Sequence, residues 1–149
     1  DGKYMAAGSD KGRIYMFSLN ENERSVIDAH DDIIQEIEFL PGKHQFISAS
    51  HDKTCKLWNA SGELINVYTG HEAPVVSIAV NKSGNKLASA SWDNTCRVWE
   101  IKGDEFQRFK FNKQVRNLFF YPDNKHLMIL YGDKRLIMAE TKKVLDKIL

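Results

Sequence analysis

The sequence has little net charge, few cysteines and no long apolar run, and each shortage removes a class of function. The longest uninterrupted apolar stretch runs only from Leu127 to Tyr131, far short of the ~20 residues a membrane-spanning helix needs. Lys and Arg number 21 against 20 Asp and Glu, so the chain lacks the one-signed field that gathers nucleic acid or anionic lipid. That balance hides an asymmetry. Residues 1–101 hold ten basic and fourteen acidic side chains, and residues 102–149 hold eleven and six; a solvated surface of uneven charge accounts for it. No phosphate-cradling glycine loop, flavin motif or metal-ligand spacing occurs, so no cofactor and no metal are expected.

What is present is repetition. Ala29-His30, Ser50-His51-Asp52-Lys53-Thr54-Cys55 and Leu57-Trp58-Asn59 return as Gly70-His71, Ser91-Trp92-Asp93-Asn94-Thr95-Cys96 and Val98-Trp99-Glu100, a period of 41 residues. A period of about 40 to 45, with a His turn opening each unit and a Trp closing its third strand, marks a four-stranded propeller blade. Segments rich in Val, Ile, Phe and Tyr, separated by Gly, Asn, Asp or Pro turns, fit an antiparallel meander of strands A to D. In one unit these are residues 33–40, 45–50, 54–59 and 64–69; in the next, 75–80, 86–91, 95–101 and 105–111. A fainter unit follows at 115–120, 126–131, 135–139 and 144–149, and the first residues supply strands B to D at 3–8, 13–18 and 24–27.

The predicted fold is all-β, a partial ring of about three and three-quarter antiparallel blades near residues 1–28, 29–69, 70–111 and 112–149. An open arc leaves two blade faces bare. The expectation is a segment of a longer propeller, or self-association of a chain naturally this short. Cys55 and Cys96 occupy equivalent strands of different blades, too far apart for a bridge. They read as small buried hydrophobes in a reducing setting, intracellular and either cytoplasmic or nuclear.

The repeat resembles the WD-repeat family of β-propellers over essentially the whole chain, most clearly in the two central units. In that family a His of the D-to-A turn, a Ser of strand B, an Asp of the B-to-C turn and the Trp of strand C form a hydrogen-bonded set. The resemblance places this structural network at His30, Ser48, Asp52 and Trp58, and again at His71, Ser89, Asp93 and Trp99. Ser50 and Ser91 lie on the same strand faces and are alternatives. His to Asp is 22 residues and His to Trp 28 in both units. The chemistry closes, because Asp fixes the imidazole tautomer while Ser bridges imidazole and indole. Ser, His and Asp also compose a hydrolytic triad. Recurrence in successive blades, without a nucleophile elbow or oxyanion hole, favours a structural set and no enzyme. The outer units depart from it: Lys11 and Phe17 stand at the Asp and Trp positions of the first, Asn112 and Ala139 at the His and Trp positions of the last. Asp10 is the substitute available to the first unit, and Asp133 is kept in the last.

Partners of WD-repeat proteins meet the face that carries the D-to-A and B-to-C loops. The matching positions here are Asp31, Ile33 and His51, then Glu72, Pro74 and Trp92, then Lys113. Trp92, at a tight polar turn with no core to enter, is the sharpest candidate anchor; the competing expectation folds it over a loop of its own blade. Asp28, Asp31, Asp32, Glu36 and Glu38 form an acidic stretch that lacks calcium-loop spacing; an ordinary solvated turn accounts for it, and a patch suited to a Lys- or Arg-bearing peptide is the alternative. Arg108, Lys110, Lys113 and Arg116 interleave with Phe106, Phe109 and Phe111. That pattern can bind RNA by phosphate contact and stacking, but the alternation of Phe109 and Phe111 with Arg108 and Lys110 favours an outer strand alternating between core and solvent. The expected function is a non-catalytic docking platform for proteins or peptides, with an RNA-associated WD-repeat protein as the alternative.

Overall fold

The computed structural model describes residues 2–133 and 135–141 with their side chains, and the backbone of 147–148. Four antiparallel sheets follow one another along the chain. β1 (Tyr4–Gly8), β2 (Arg13–Ser18) and β3 (Arg24–Asp28) form the first, and β4 (Ile34–Phe39), β5 (Gln45–Ser50), β6 (Cys55–Asn59) and β7 (Leu64–Tyr68) the second. β8 (Val75–Val80), β9 (Lys86–Ser91), β10 (Thr95–Glu100) and β11 (Glu105–Lys110) make the third, and β12 (Val115–Phe120), β13 (His126–Tyr131) and β14 (Arg135–Glu140) the last. Each sheet is one blade, and the four make an all-β arc of a propeller.

The outer strand expected over 144–149 lies largely outside the described residues. Its two described members, Lys147–Ile148 (β15), run parallel to Phe109 and Lys110 of β11 and not beside β14. An outer-edge strand such as β11 presents N–H and C=O groups that a passing segment can take up.

Burial follows strand position. In β2, Ile14 and Met16 are buried while Arg13 and Tyr15 face out; in β9 and β10 nearly every side chain is buried, as strands covered on both faces require. The apolar residues gather in three layers between consecutive blades. Ile14 and Met16 pack with Phe46 and Trp58, Ile47, Leu57 and Tyr68 with Val75, Leu87 and Trp99, and Val98 and Phe109 with Val115, Leu127 and Ile129. Each large side chain so buried contributes ~1.5–3 kcal/mol, so a blade is held largely by its neighbours. Cys55 and Cys96 sit unbridged in these layers, where burial pushes both thiols far up. Met5, Tyr15 and Val26 of the first blade and Phe119, Leu136 and Met138 of the last are exposed, on faces without a neighbouring sheet among the described residues.

Two backbone features position the loops. Gly12 (φ +72), Lys53 (φ 75) and Asn94 (φ 66) share one place in successive B-to-C turns. The first admits only glycine, since a Cβ there would stand 1.9 Å from the His30 carbonyl oxygen. Gly12 in turn accepts the N–H groups of Ala29 and His30 at 3.0 and 2.9 Å, tying the first blade to the turn that enters the second. The inner strands β4, β8 and β12 each bulge at their second residue, Gln35, Val76 and Arg116.

Candidate partner-docking face

Blades two and three fasten their turns with the same side chains. His30 Nδ1–H donates to Asp52 Oδ2 at 2.7 Å, Ser48 Oγ donates to His30 Nε2 at 2.7 Å, and Trp58 Nε1–H donates to Ser48 Oγ at 2.9 Å. At His71, Asp93, Ser89 and Trp99 the same bonds measure 2.8, 2.8 and 2.9 Å. Ser50 and Ser91 close the turns instead: each accepts the N–H of the aspartate and donates to a carbonyl, of Asp32 and Ala73 respectively. A neutral imidazole protonated on Nδ1 matches every donor to an acceptor. Ser48 and Ser89 are 0% exposed, so no substrate reaches either hydroxyl.

Thr54 and Thr95, which the sequence reading passed over, complete the sets by donating hydroxyl and backbone N–H to Oδ1 of Asp52 and Asp93. Lys56 Nζ and Arg97 Nη2 reach the Ala29 and Gly70 carbonyls at 2.6 and 2.7 Å, clamping the residue before each histidine. Both pairs recur at the 41-residue period, which is the signal that marks them. Burial raises the Asp52 and Asp93 carboxyls, but the bonds from His and Thr outweigh it and hold both well below the ordinary carboxylate range.

The outer blades lack this set. In the first, the hydroxyl of Ser9, not Asp10, accepts from Lys11 and Arg13 N–H. Ser9 stands where Ser50 does, and its short side chain reaches both N–H groups that Ser50 and Asp52 share in the second blade. In the last, Asn112 is exposed, Ala139 offers no indole, and Asp133 turns outward toward Lys113 Nζ and Arg116 Nη2 at 3.6 and 3.5 Å.

The D-to-A and B-to-C loops of the central blades make one face. His51 and Trp92, each preceding a turn aspartate, meet across the blade boundary with ring centroids 5.3 Å apart. Trp92 thus leans on the neighbouring blade and stays 45% exposed, while His51 Nε2 lies 3.2 Å from Gln35 Oε1. Because a bulge re-aims its side chain, Gln35, Val76 and Arg116 join Trp92 and Gln114 in lining a shallow depression of about 330 Å³. Asp31, Ile33, Glu72 and Lys113 are exposed, and Pro74 is half-buried. Asp31 and Glu72 give their backbone N–H groups to Asp52 and Asp93; the Ile33 and Pro74 carbonyls accept from His51 and Trp92 N–H.

One expectation changes here. Glu36 and Glu38 do not belong to an open acidic patch, because they bridge blades two and three. Glu36 Oε2 accepts Ile78 N–H at 2.7 Å and Glu38 Oε2 accepts Val80 N–H at 2.9 Å, capping the inner edge of β8. Burial pushes the Glu38 carboxyl up to about 7 against the pull of the Val80 N–H, with nearby Glu36 adding to the rise. The core-to-solvent alternation expected of this outer strand holds: Phe109 and Phe111 are buried, Arg108 and Lys110 are exposed, and Lys86 Nζ lies 4.4 Å over the Phe106 ring.

The family profile described as "WD domain, G-beta repeat" matches residues 21–59 and 62–100, the two stretches that carry the complete networks. The chain belongs to the WD-repeat family. It is similar to the Denticleless protein homolog of Danio rerio, 30% identical over 82 residues that make 52% of this chain and 13% of that protein. It is also similar to the transcriptional corepressor LEUNIG_HOMOLOG of Arabidopsis thaliana, 33% identical over 81 residues, 52% of this chain and 10% of that protein. TBC1 domain family member 31 of Xenopus laevis is 34% identical over 85 residues, 56% of this chain and 8% of that protein. The chain therefore spans about a tenth of the length of these relatives. WD-repeat propellers are in general non-catalytic scaffolds for protein interaction, and this chain carries that scaffold. Among the described residues no helix is long and apolar enough to cross a membrane.

Proposed function

We propose that this WD-repeat arc docks a protein or peptide on the face of the D-to-A and B-to-C loops, with Trp92 as the anchor. The observation that carries the reading is the half-exposed indole beside a depression lined by Gln35, Val76, Gln114 and Arg116. A large aromatic held open next to polar groups is the usual make-up of an interface hot spot. A hollow of this size receives one or two side chains of a peptide while the amides and Arg116 meet its polar groups. Asp31, Ile33, His51, Glu72, Pro74 and Lys113 complete the contact set. Between the two central blades these positions differ while the His, Ser, Asp and Trp beneath them stay the same, as loops on a rigid scaffold do. An intracellular setting, cytoplasmic or nuclear, suits two buried free thiols. RNA binding, the second reading, rests on Arg108, Lys110, Lys113 and Arg116 alone, since the rings beside them are covered; affinity that falls steeply with salt marks it.

The test compares Trp92→Ala with the parent chain against each bound partner. The variant melts close to the parent, because the ring stands largely outside the core, and binds at least ~tenfold more weakly. A folded variant that retains every partner at full affinity overturns the proposal.

A further inference from the structure

The outer strands of the blades are protected unequally. β3 carries Arg24 and Asp28, and Asp28 pairs with Arg13 at 2.9 Å. β11 carries Glu105, Arg108 and Lys110, with Glu105 bound by Arg97 and Arg108. β7, with the sequence Leu-Ile-Asn-Val-Tyr, has neither charge nor proline. Its Leu64, Ile65 and Val67 are 50, 47 and 38% exposed, and no strand among the described residues pairs with its outer edge. Such an edge is a template for another strand, which natural sheets blunt with charge, proline or cover.

Blade three shows a strand added at the equivalent edge. Beside Phe109 and Lys110 of β11 runs the parallel segment β15, and those residues correspond to Tyr68 and Thr69 at the 41-residue period. Both outer strands carry the same bulge, at Ile65 and at Phe106, so the bulge does not bar pairing beyond it. We propose that the outer edge of β7 takes up an extended, uncharged segment of a partner polypeptide as an added strand of blade two. Main-chain hydrogen bonds supply the affinity. The exposed Leu64, Ile65 and Val67 select apolar side chains at alternate positions of the incoming segment. Lys56, opposite Val67, already holds the Ala29 carbonyl and is not free to recruit an acidic partner. A second copy of the chain would pair two β7 strands antiparallel about a two-fold axis, and it is told apart by protection that depends on protein concentration. This edge is separate from the Trp92 face and stands or falls without it.

The probe is a short synthetic peptide of alternating valine and threonine, added in excess to the whole chain, with backbone amide exchange of residues 64–69 as the readout. The peptide slows exchange there by roughly tenfold or more and leaves β3 unchanged. Val67→Pro blunts the edge with a device that neither β7 nor the paired β11 carries, so it abolishes the protection; should that variant melt early, a peptide with proline in place of each valine gives no protection to the parent chain. Unchanged exchange with peptide overturns the proposal, as does equal protection of a folded variant. Protection that appears without peptide and grows with protein concentration also overturns it, by assigning the edge to a second copy.

Discussion

Asp93 concentrates the chemistry of its turn: it accepts hydrogen bonds from His71, Glu72 N–H, and both the hydroxyl and N–H of Thr95, with its side chain 7% exposed. Removing it strands several buried donors at once, so Asp93→Ala costs about 2–4 kcal/mol, visible as a lower melting temperature. The same bonds give the effect a pH signature. The folded-state pKa lies below the ordinary 3.8, so the stabilisation is complete at neutral pH and drains as pH falls from about 4 towards 2. The gap between parent and variant therefore narrows over that window, and a constant gap contradicts the ionised network. At this scale the sequence is readable wherever one residue type recurs at one spacing, as His, Ser, Asp and Trp do. Gln35, Val76 and Arg116 share a position but not a chemistry, and the bulge that aims them leaves no trace in strand alternation. Trp92 was visible as an odd residue at a polar turn; its tilted ring contact with His51 was not, since that contact depends on the angle between blades.

Among the elements, the inner edge of β8 has the most unusual cover, two glutamates from the preceding blade in place of a strand. A carboxyl that prefers its proton makes this junction respond to pH. The Glu38 pKa near 7 stands above the ordinary 4.5, so the folded chain holds the proton more tightly than the unfolded one. The stabilisation this brings is full below about pH 4.5 and is lost as pH rises through 7. Glu38→Gln keeps an oxygen for Val80 N–H and removes the titration. Between about pH 5 and 8 the parent loses on the order of 1 kcal/mol relative to the variant, allowing for solvent screening of a partly exposed carboxyl. Melts that stay parallel across this range refute the assignment. Strand order and most strand ends were legible from period and turn residues. The fate of Glu36 and Glu38 was not, because a string of acids along a strand looks the same whether it faces water or caps the N–H groups of an adjacent sheet. The pairing of β15 was equally invisible, since a free edge competes for a segment irrespective of sequence order.

At the scale of the whole molecule, stability follows from apolar layers that lie between blades. Blades two and three each contact a layer on both faces and contain the full His, Ser, Asp and Trp set. The first and last blades have one layer each among the described residues, with Met5 and Val26, or Leu136 and Met138, left exposed on the other face. Their turns also rest on weaker fastenings, a single serine hydroxyl at Ser9 and an outward-facing Asp133. A quasi-linear stack of this kind loses its ends first, because releasing an end blade breaks one layer while releasing a central blade breaks two. Amide exchange is thus slowest in β5, β6, β9 and β10 and roughly tenfold or more faster in β3 and β14. Inserting Asp93→Ala carries the argument further: it speeds exchange in β9 and β10 and, through the layer formed by Val98, Phe109, Val115 and Leu127, in β12 and β13, while β2 is little changed. Equal exchange in all four sheets, or an equal effect of the substitution on β2 and β13, makes the arc a single cooperative unit and removes the stacked-layer account.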